Sequence, residues 1–185
     1  MEPNDIEKVK QLNEAKLGHR GVVPIQAEGE KKPPGWFNWT PYRDGEKPRL
    51  TDAELESIFS NPEVGRAAIM LSKASFVIDS EGEGTAVQAI LEMRMPEGLR
   101  EKVRNTRTTI TPHGRHKHLL LSPEAYPDGI DELLCWYLQL EDTDKKSERK
   151  VGEHAPGSGE LRVLSQSKYC IELGPGYTLM NNEHE

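Results

Sequence analysis

The chain has 185 residues, with 31 acidic against 24 basic side chains, a formal charge of −7, and 35% hydrophobic and 30% charged content. That balance suits one soluble domain of ordinary size or two small lobes, and excludes a membrane protein, a disordered chain and a protein gripping nucleic acid over its whole surface. No stretch is apolar enough to cross a bilayer, and the polar start Met1-Glu2-Pro3-Asn4-Asp5 lacks signal-peptide features, so a cytoplasmic location is expected.

Asn4 or Asp5 can cap a helix over 6–17, with Ile6, Val9, Leu12 or Asn13, and Leu17 near one face and Gly18 closing it. Residues 22–25 read as a short strand, followed by a polar loop holding Lys31-Lys32-Pro33-Pro34-Gly35 and the aromatics Trp36, Phe37, Trp39 and Tyr42. Thr51-Asp52-Ala53-Glu54 has capping-box spacing and predicts a helix to about 59, where Asn61-Pro62 stops it. Apolar runs over 67–71 and 75–79 predict an antiparallel hairpin. A helical period over 84–93 places Val87, Ile90 and Leu91 on a buried face, with Ala86 and Ala89 in close contacts, and completes a βα unit. Strands are expected over 108–110 and 118–121 around a basic turn, and a helix over 130–140 with Leu133, Leu134, Tyr137 and Leu138 inward. Residues 141–159 read as an exposed loop, and 161–164 with 169–173 as a final hairpin before Gly174-Pro175-Gly176-Tyr177. The sheet is expected to be mixed rather than wholly parallel. The last residues mark no natural end, so membership of a larger protein is a further expectation.

Three places carry chemistry. In Phe76-Val77-Ile78-Asp79-Ser80-Glu81-Gly82 an apolar run ends in two carboxylates, and strand alternation puts Asp79 and Glu81 on one face with Ser80 opposite. Such a pair can hold Mg²⁺ or Mn²⁺ against phosphates, and equally suits a polar strand end entering a turn at Gly82 and Gly84. Thr111-Pro112-His113-Gly114-Arg115-His116-Lys117-His118 places imidazoles and cations, apt for a triphosphate, in a glycine-containing turn; a surface turn with incidental histidines is the alternative. Glu160-Leu161-Arg162 puts an acid and a base on one strand face, as a third carboxylate beside the first two or as a cross-strand ion pair. From Arg94 to His118, the cations Arg94, Arg100, Lys102, Arg104, Arg107, Arg115 and Lys117 meet only Glu97 and Glu101, which reads either as a local cationic surface or as a solvated basic helix and loop. Cys135 and Cys170, the only cysteines, sit beside Trp136 and Tyr169 and read as buried thiols. They make neither a disulfide framework nor a cysteine-rich zinc site, so no zinc is expected and any metal should sit on oxygen, with imidazole as the other available donor.

The order of these motifs, from Gly21-Val22-Val23-Pro24-Ile25 with Lys31-Lys32-Pro33 and Trp36, through Phe76 to Glu81 and Thr111 to His118, to Glu160-Leu161-Arg162 before Tyr169, resembles the bifunctional DNA primase/polymerase domain of the archaeo-eukaryotic primase superfamily. The resemblance spans roughly 18–177. It implies an α+β catalytic core over 1–185: an RRM-like mixed or antiparallel sheet carrying the metal-binding acids over about 67–180, with a smaller N-terminal α/β lobe over about 1–66. It implies template-directed nucleotidyl transfer with Mg²⁺ or Mn²⁺, two ions in all, on Asp79, Glu81 and Glu160. His118, with His116 as alternative, meets the nucleotide phosphates, and Arg115, Lys117 and Arg162 are further phosphate contacts. Template contacts fall to Arg94, Arg100, Lys102, Arg104 and Arg107. The implied partners are a single-stranded DNA template or primer-template, a dNTP or NTP, and a C-terminal helicase or helix-bundle module in a larger protein, with no membrane. A noncatalytic nucleotide-binding or nucleic-acid-binding module of the same fold and a metal-dependent nuclease are the competing functions.

Overall fold

The structure is a computed structural model, described here for residues 3–122, 124, 136–140, 159–166 and 168–181. In chain order its elements are α1 (Pro3–Glu14), β1 (Val22–Gln26), α2 (Thr40–Asp44), α3 (Asp52–Phe59), β2 (Val64–Met70), β3 (Ser75–Gly82), α4 (Gly84–Met93), α5 (Glu97–Asn105), β4 (Thr108–Ile110), β5 (Gly114–Leu120), β6 (Trp136–Leu140), β7 (Gly159–Leu164), β8 (Tyr169–Leu173) and β9 (Thr178–Asn181). The architecture is α+β, and the pairings β1–β2, β2–β8, β3–β7, β4–β5, β4–β9 and β6–β7 are all antiparallel. Of the expected mixed or antiparallel arrangement, the antiparallel form is the one these pairings take. Among the described residues no helix is long and apolar enough to cross a membrane.

The chain divides into two compact units: Met1–Ser75 with Leu120–Leu133 and Ser165–Pro175, and Phe76–Leu119 with Leu134–Leu164 and Gly176–Glu185. The first holds a three-stranded sheet in the order β1-β2-β8. Pro24 is tolerated because β1 is an edge strand, where a missing N–H breaks no ladder. Ala67, Ala68, Ile69 and Met70 on the central strand are wholly buried, together with Val9 of α1 and Leu55 and Phe59 of α3. The Asn13 side chain binds α1 to the sheet, donating to the Leu50 carbonyl at 2.9 Å and accepting from the Val22 N–H at 3.1 Å. Arg49 donates to the carbonyls of Asn13 and His19, satisfying backbone acceptors where α1 stops. That helix starts at Pro3, earlier than expected, because proline suits a first helical turn. The capping box of Thr51 and Glu54 forms with both of its reciprocal bonds. The short helix α2 has no counterpart in the sequence expectations. It begins beside Pro41 and is closed by Gly45 at φ 76°, in the left-handed region glycine favours.

The second unit is built on a six-stranded sheet, β6-β7-β3-β5-β4-β9. Two expected hairpins do not form. The run over 67–71 belongs to β2 and that over 75–79 to β3, in different sheets, because β2 is apolar on both faces and takes β1 and β8 on its two edges. Residues 161–164 and 169–173 part in the same way, β7 pairing with β3 and β6 while β8 pairs with β2. The helix expected over 130–140 is also corrected: Trp136–Leu140 is a strand on the outer edge of β7. An apolar run of this length is compatible with either state, and the open edge of β7 decides it. Residues 130–135, with Cys135, and 141–158 of the loop expected over 141–159 lie outside the described residues, while Gly159 opens β7 rather than closing that loop. Cys170 is buried.

Helix α4 has the expected bounds but the opposite orientation. Gly84, Gln88 and Glu92 are its buried residues, while Ile90 and Leu91 are 48% and 44% exposed. The reason is a polar network against the back of the sheet. Ser80 Oγ donates to Gln88 Oε1 at 2.6 Å, Arg115 Nε donates to the same oxygen at 3.2 Å, and Gln88 Nε2 donates to Glu92 Oε1 at 2.8 Å. Lys117 Nζ lies 2.8 Å from Glu92 Oε1 and donates to the Val103 carbonyl of α5 at 3.2 Å. Satisfied buried polar groups carry little penalty, so this face competes with the apolar one.

Candidate functional site

Alternation along three adjacent strands of the second unit gathers the site on one sheet face. The β3–β7 register sets Arg162 opposite Asp79 and Glu160 opposite Glu81, and β5 flanks β3 on its other side. Close approach of β5 to β3 and of α4 to β7 depends on glycine: a Cβ at Gly114 would lie 1.8 Å from the Ser80 carbonyl oxygen, and one at Gly84 would lie 1.9 Å from that of Glu160.

Arg162 stands at the centre. Its Nη2 donates to Asp79 Oδ2 at 2.6 Å and lies 3.7 Å from Glu81 Oε1. Its Nε is 3.3 Å from Glu160 Oε2 but makes no hydrogen bond among the described residues. On the other side of Asp79, His116 Nε2 approaches Oδ1 at 3.5 Å, and the His116 ring is tilted against Tyr177 with centroids 6.3 Å apart. Side-chain exposure rises from 4% at Asp79 through 14% at Glu81 and 22% at Glu160 to 34% at Arg162, so the group runs from a buried floor to solvent. Burial opposes the charge on Arg162, yet Asp79, then Glu160 and Glu81, raise its affinity for the proton above the ordinary value.

Three carboxylates therefore converge on one guanidinium. Asp79 Oδ1 is buried and accepts no hydrogen bond among the described residues, a costly state for a carboxylate oxygen. An all-oxygen carboxylate set suits a hard divalent ion such as Mg²⁺ or Mn²⁺, and Asp79, Glu81 and Glu160 are the residues that would hold it. The cross-strand ion pair and the metal-binding trio, alternatives at the level of sequence, involve the same side chains.

The remaining expected site residues divide between the two faces of the sheet. His118 has the same parity on β5 as His116 and is buried, one step further from Glu81. Arg115 and Lys117 point the other way, into the network with Gln88 and Glu92, and Lys117 is only 5% exposed. The structure does not bring them to the carboxylates. Both helices lie on that far face too, α4 through Ser80 and Gln88 and α5 through Lys117 and Val103. Arg94, Lys102 and Arg104 are exposed there and Arg100 is half-buried, whereas Arg107 is buried and forms no part of an exposed strip. Gln88 and Glu92, which anchor this face, were not singled out by the sequence. Their spacing of four residues within an apolar helix is the signal that could have found them.

No protein-family model matches the chain, and no curated protein matches its sequence.

Proposed function

We propose that the chain is a template-directed nucleotidyltransferase, acting as a DNA primase, a DNA polymerase or both, as its resemblance to primase/polymerase domains implies. The observation that carries this reading is the convergence of Asp79, Glu81 and Glu160 around one cationic centre, on one face of an antiparallel sheet, with a buried carboxylate oxygen that accepts no hydrogen bond among the described residues. Asp79, Glu81 and Glu160 would hold Mg²⁺ or Mn²⁺. When bound, such ions lower the pKa of a primer 3′-hydroxyl and neutralise charge on the phosphates during in-line displacement.

The chain's own side chains do the rest. His116 lies beside the Asp79 carboxylate, its Nε2 3.5 Å from Oδ1. His118 retains the phosphate contact that the resemblance implies, and Arg162, the most exposed of the cluster, is the second phosphate donor. Arg115 and Lys117 are left out of this role because they are engaged beneath α4 and α5. Arg94, Lys102 and Arg104 serve as salt-sensitive, sequence-independent backbone contacts away from the reaction centre.

The test is incorporation of labelled deoxynucleotides and ribonucleotides on primed and unprimed single-stranded DNA, with Mg²⁺ and with Mn²⁺. Extension or initiation that disappears in Asp79→Ala/Glu81→Ala supports the proposal. Absence of both activities in the wild type, or activity unchanged in the double variant, refutes it. Labelled DNA cleaved without nucleotides would point to a nuclease, and nucleotide affinity without product would point to a noncatalytic module.

A further inference from the structure

The guanidinium of Arg162 occupies the centre of the three carboxylates, a position that a metal ion held by those oxygens must also claim. We infer that Arg162 is a built-in counter-ion that competes with the divalent ion for Asp79 and Glu160, and that it turns outward to a phosphate when the ion binds. The inference rests on the metal-dependent reading above and concerns how that site is regulated.

The geometry supports displacement rather than permanent pairing. The contact with Asp79 Oδ2 is short at 2.6 Å, but that with Glu81 is 3.7 Å and the Nε beside Glu160 makes no hydrogen bond among the described residues. Nη2 is held firmly by Asp79, while its approach to Glu81 and that of Nε to Glu160 are poorly matched. Mg²⁺ is held at short carboxylate distances of about 2.0–2.1 Å, so an ion held by Asp79 and Glu160 would compete with the guanidinium for those carboxylates. At 34% exposure Arg162 has a path to solvent, and a planar fork released from a carboxylate finds equivalent bidentate partners on a phosphate. Without the ion, Arg162 limits repulsion among three acids. With ion and phosphate together, the carboxylates face the ion and the guanidinium faces the phosphate. Linkage then requires the ion and the phosphate ligand to strengthen each other's binding.

The experiment is a titration of the full chain with Mn²⁺ alone, following the free-ion electron paramagnetic resonance signal, for the wild type, Arg162→Gln, Arg162→Lys and Asp79→Asn. Removing a competing charged hydrogen bond is expected to tighten Mn²⁺ binding by roughly tenfold in Arg162→Gln. Arg162→Lys keeps a competing cation and stays near the wild type, and Asp79→Asn binds more weakly. Equal or weaker binding in Arg162→Gln, with Asp79→Asn still weakened, overturns the counter-ion role and leaves the metal site standing. No binding to any form removes the metal reading and the counter-ion role with it. A measurement on the wild type alone guards against a variant that fails to fold: the Arg162 Nε–H resonance should shift as Mg²⁺ saturates, and an unmoved resonance during Mg²⁺ binding contradicts displacement.

Discussion

Replacing Lys117 with methionine would remove the cation that sits 2.8 Å from Glu92 and donates to the Val103 carbonyl of α5. Side-chain exposures are 6% for Lys117 and 8% for Glu92, so little solvent screens the pair and the abandoned carboxylate stays buried. Breaking such a pair from one side costs about 3–5 kcal/mol. For a chain of this length that corresponds to a fall in Tm of roughly 6–20 °C. The double variant Lys117→Met/Glu92→Gln keeps an acceptor for Gln88 Nε2 without a stranded charge, and should recover most of the loss. Urea denaturation followed by circular dichroism, with the four forms of the cycle, measures both quantities. A Lys117→Met cost below about 1 kcal/mol, together with weakened triphosphate binding, would refute the assignment of Lys117 to the back of the sheet and restore it as a phosphate contact.

Gly114→Ala places a methyl group 1.8 Å from the Ser80 carbonyl oxygen, so β5 and β3 must separate. The expected result is a loss of at least about 2–3 kcal/mol in thermal or urea unfolding, and a wild-type melting curve would contradict the strand packing. The phenols of Tyr42 and Tyr169 are both raised above their ordinary value of 10.0, in each case chiefly by burial. A raised folded-state pKa contributes stability that is complete below the unfolded value and lost as pH climbs through the folded one. Stability should therefore fall above about pH 10, and Tyr42→Phe/Tyr169→Phe should flatten that limb of a pH–stability profile. An unchanged alkaline limb would place the loss elsewhere.

The sequence was most legible where local chemistry decides. The capping box at Thr51 is a self-contained device of four residues, and α3 follows from it. Alternation likewise placed Asp79 and Glu81 on one side of β3 and Ser80 on the other, and placed Glu160 with Arg162. Long-range pairing was not legible. Two apolar runs a few residues apart look like a hairpin whether they pair with each other or, as β2 and β3 do, with partners in separate sheets. The orientation of α4 failed for a related reason: a hydrophobic period identifies the apolar side, but the burial of Gln88 and Glu92 depends on Ser80, Arg115 and Lys117 meeting them across the sheet. The same parity rule that gathered the acids moves Arg115 and Lys117 away from them, since neighbours of His116 in sequence stand on the opposite face of β5. The register Asp79 to Arg162, which joins residues 83 apart in sequence, has no local signature.

We propose Asp79, Glu81 and Glu160 as the metal site of a nucleotidyltransferase. A crystal of the protein soaked with Mn²⁺ and a nucleoside triphosphate tests it most directly, because manganese can be located by its anomalous scattering. The account predicts manganese bound by those three carboxylates, the triphosphate beside it, and Arg162 turned from Asp79 toward a phosphate oxygen. Carboxylates still closed on Arg162, with no manganese among them at saturating Mn²⁺ and nucleotide, would contradict it.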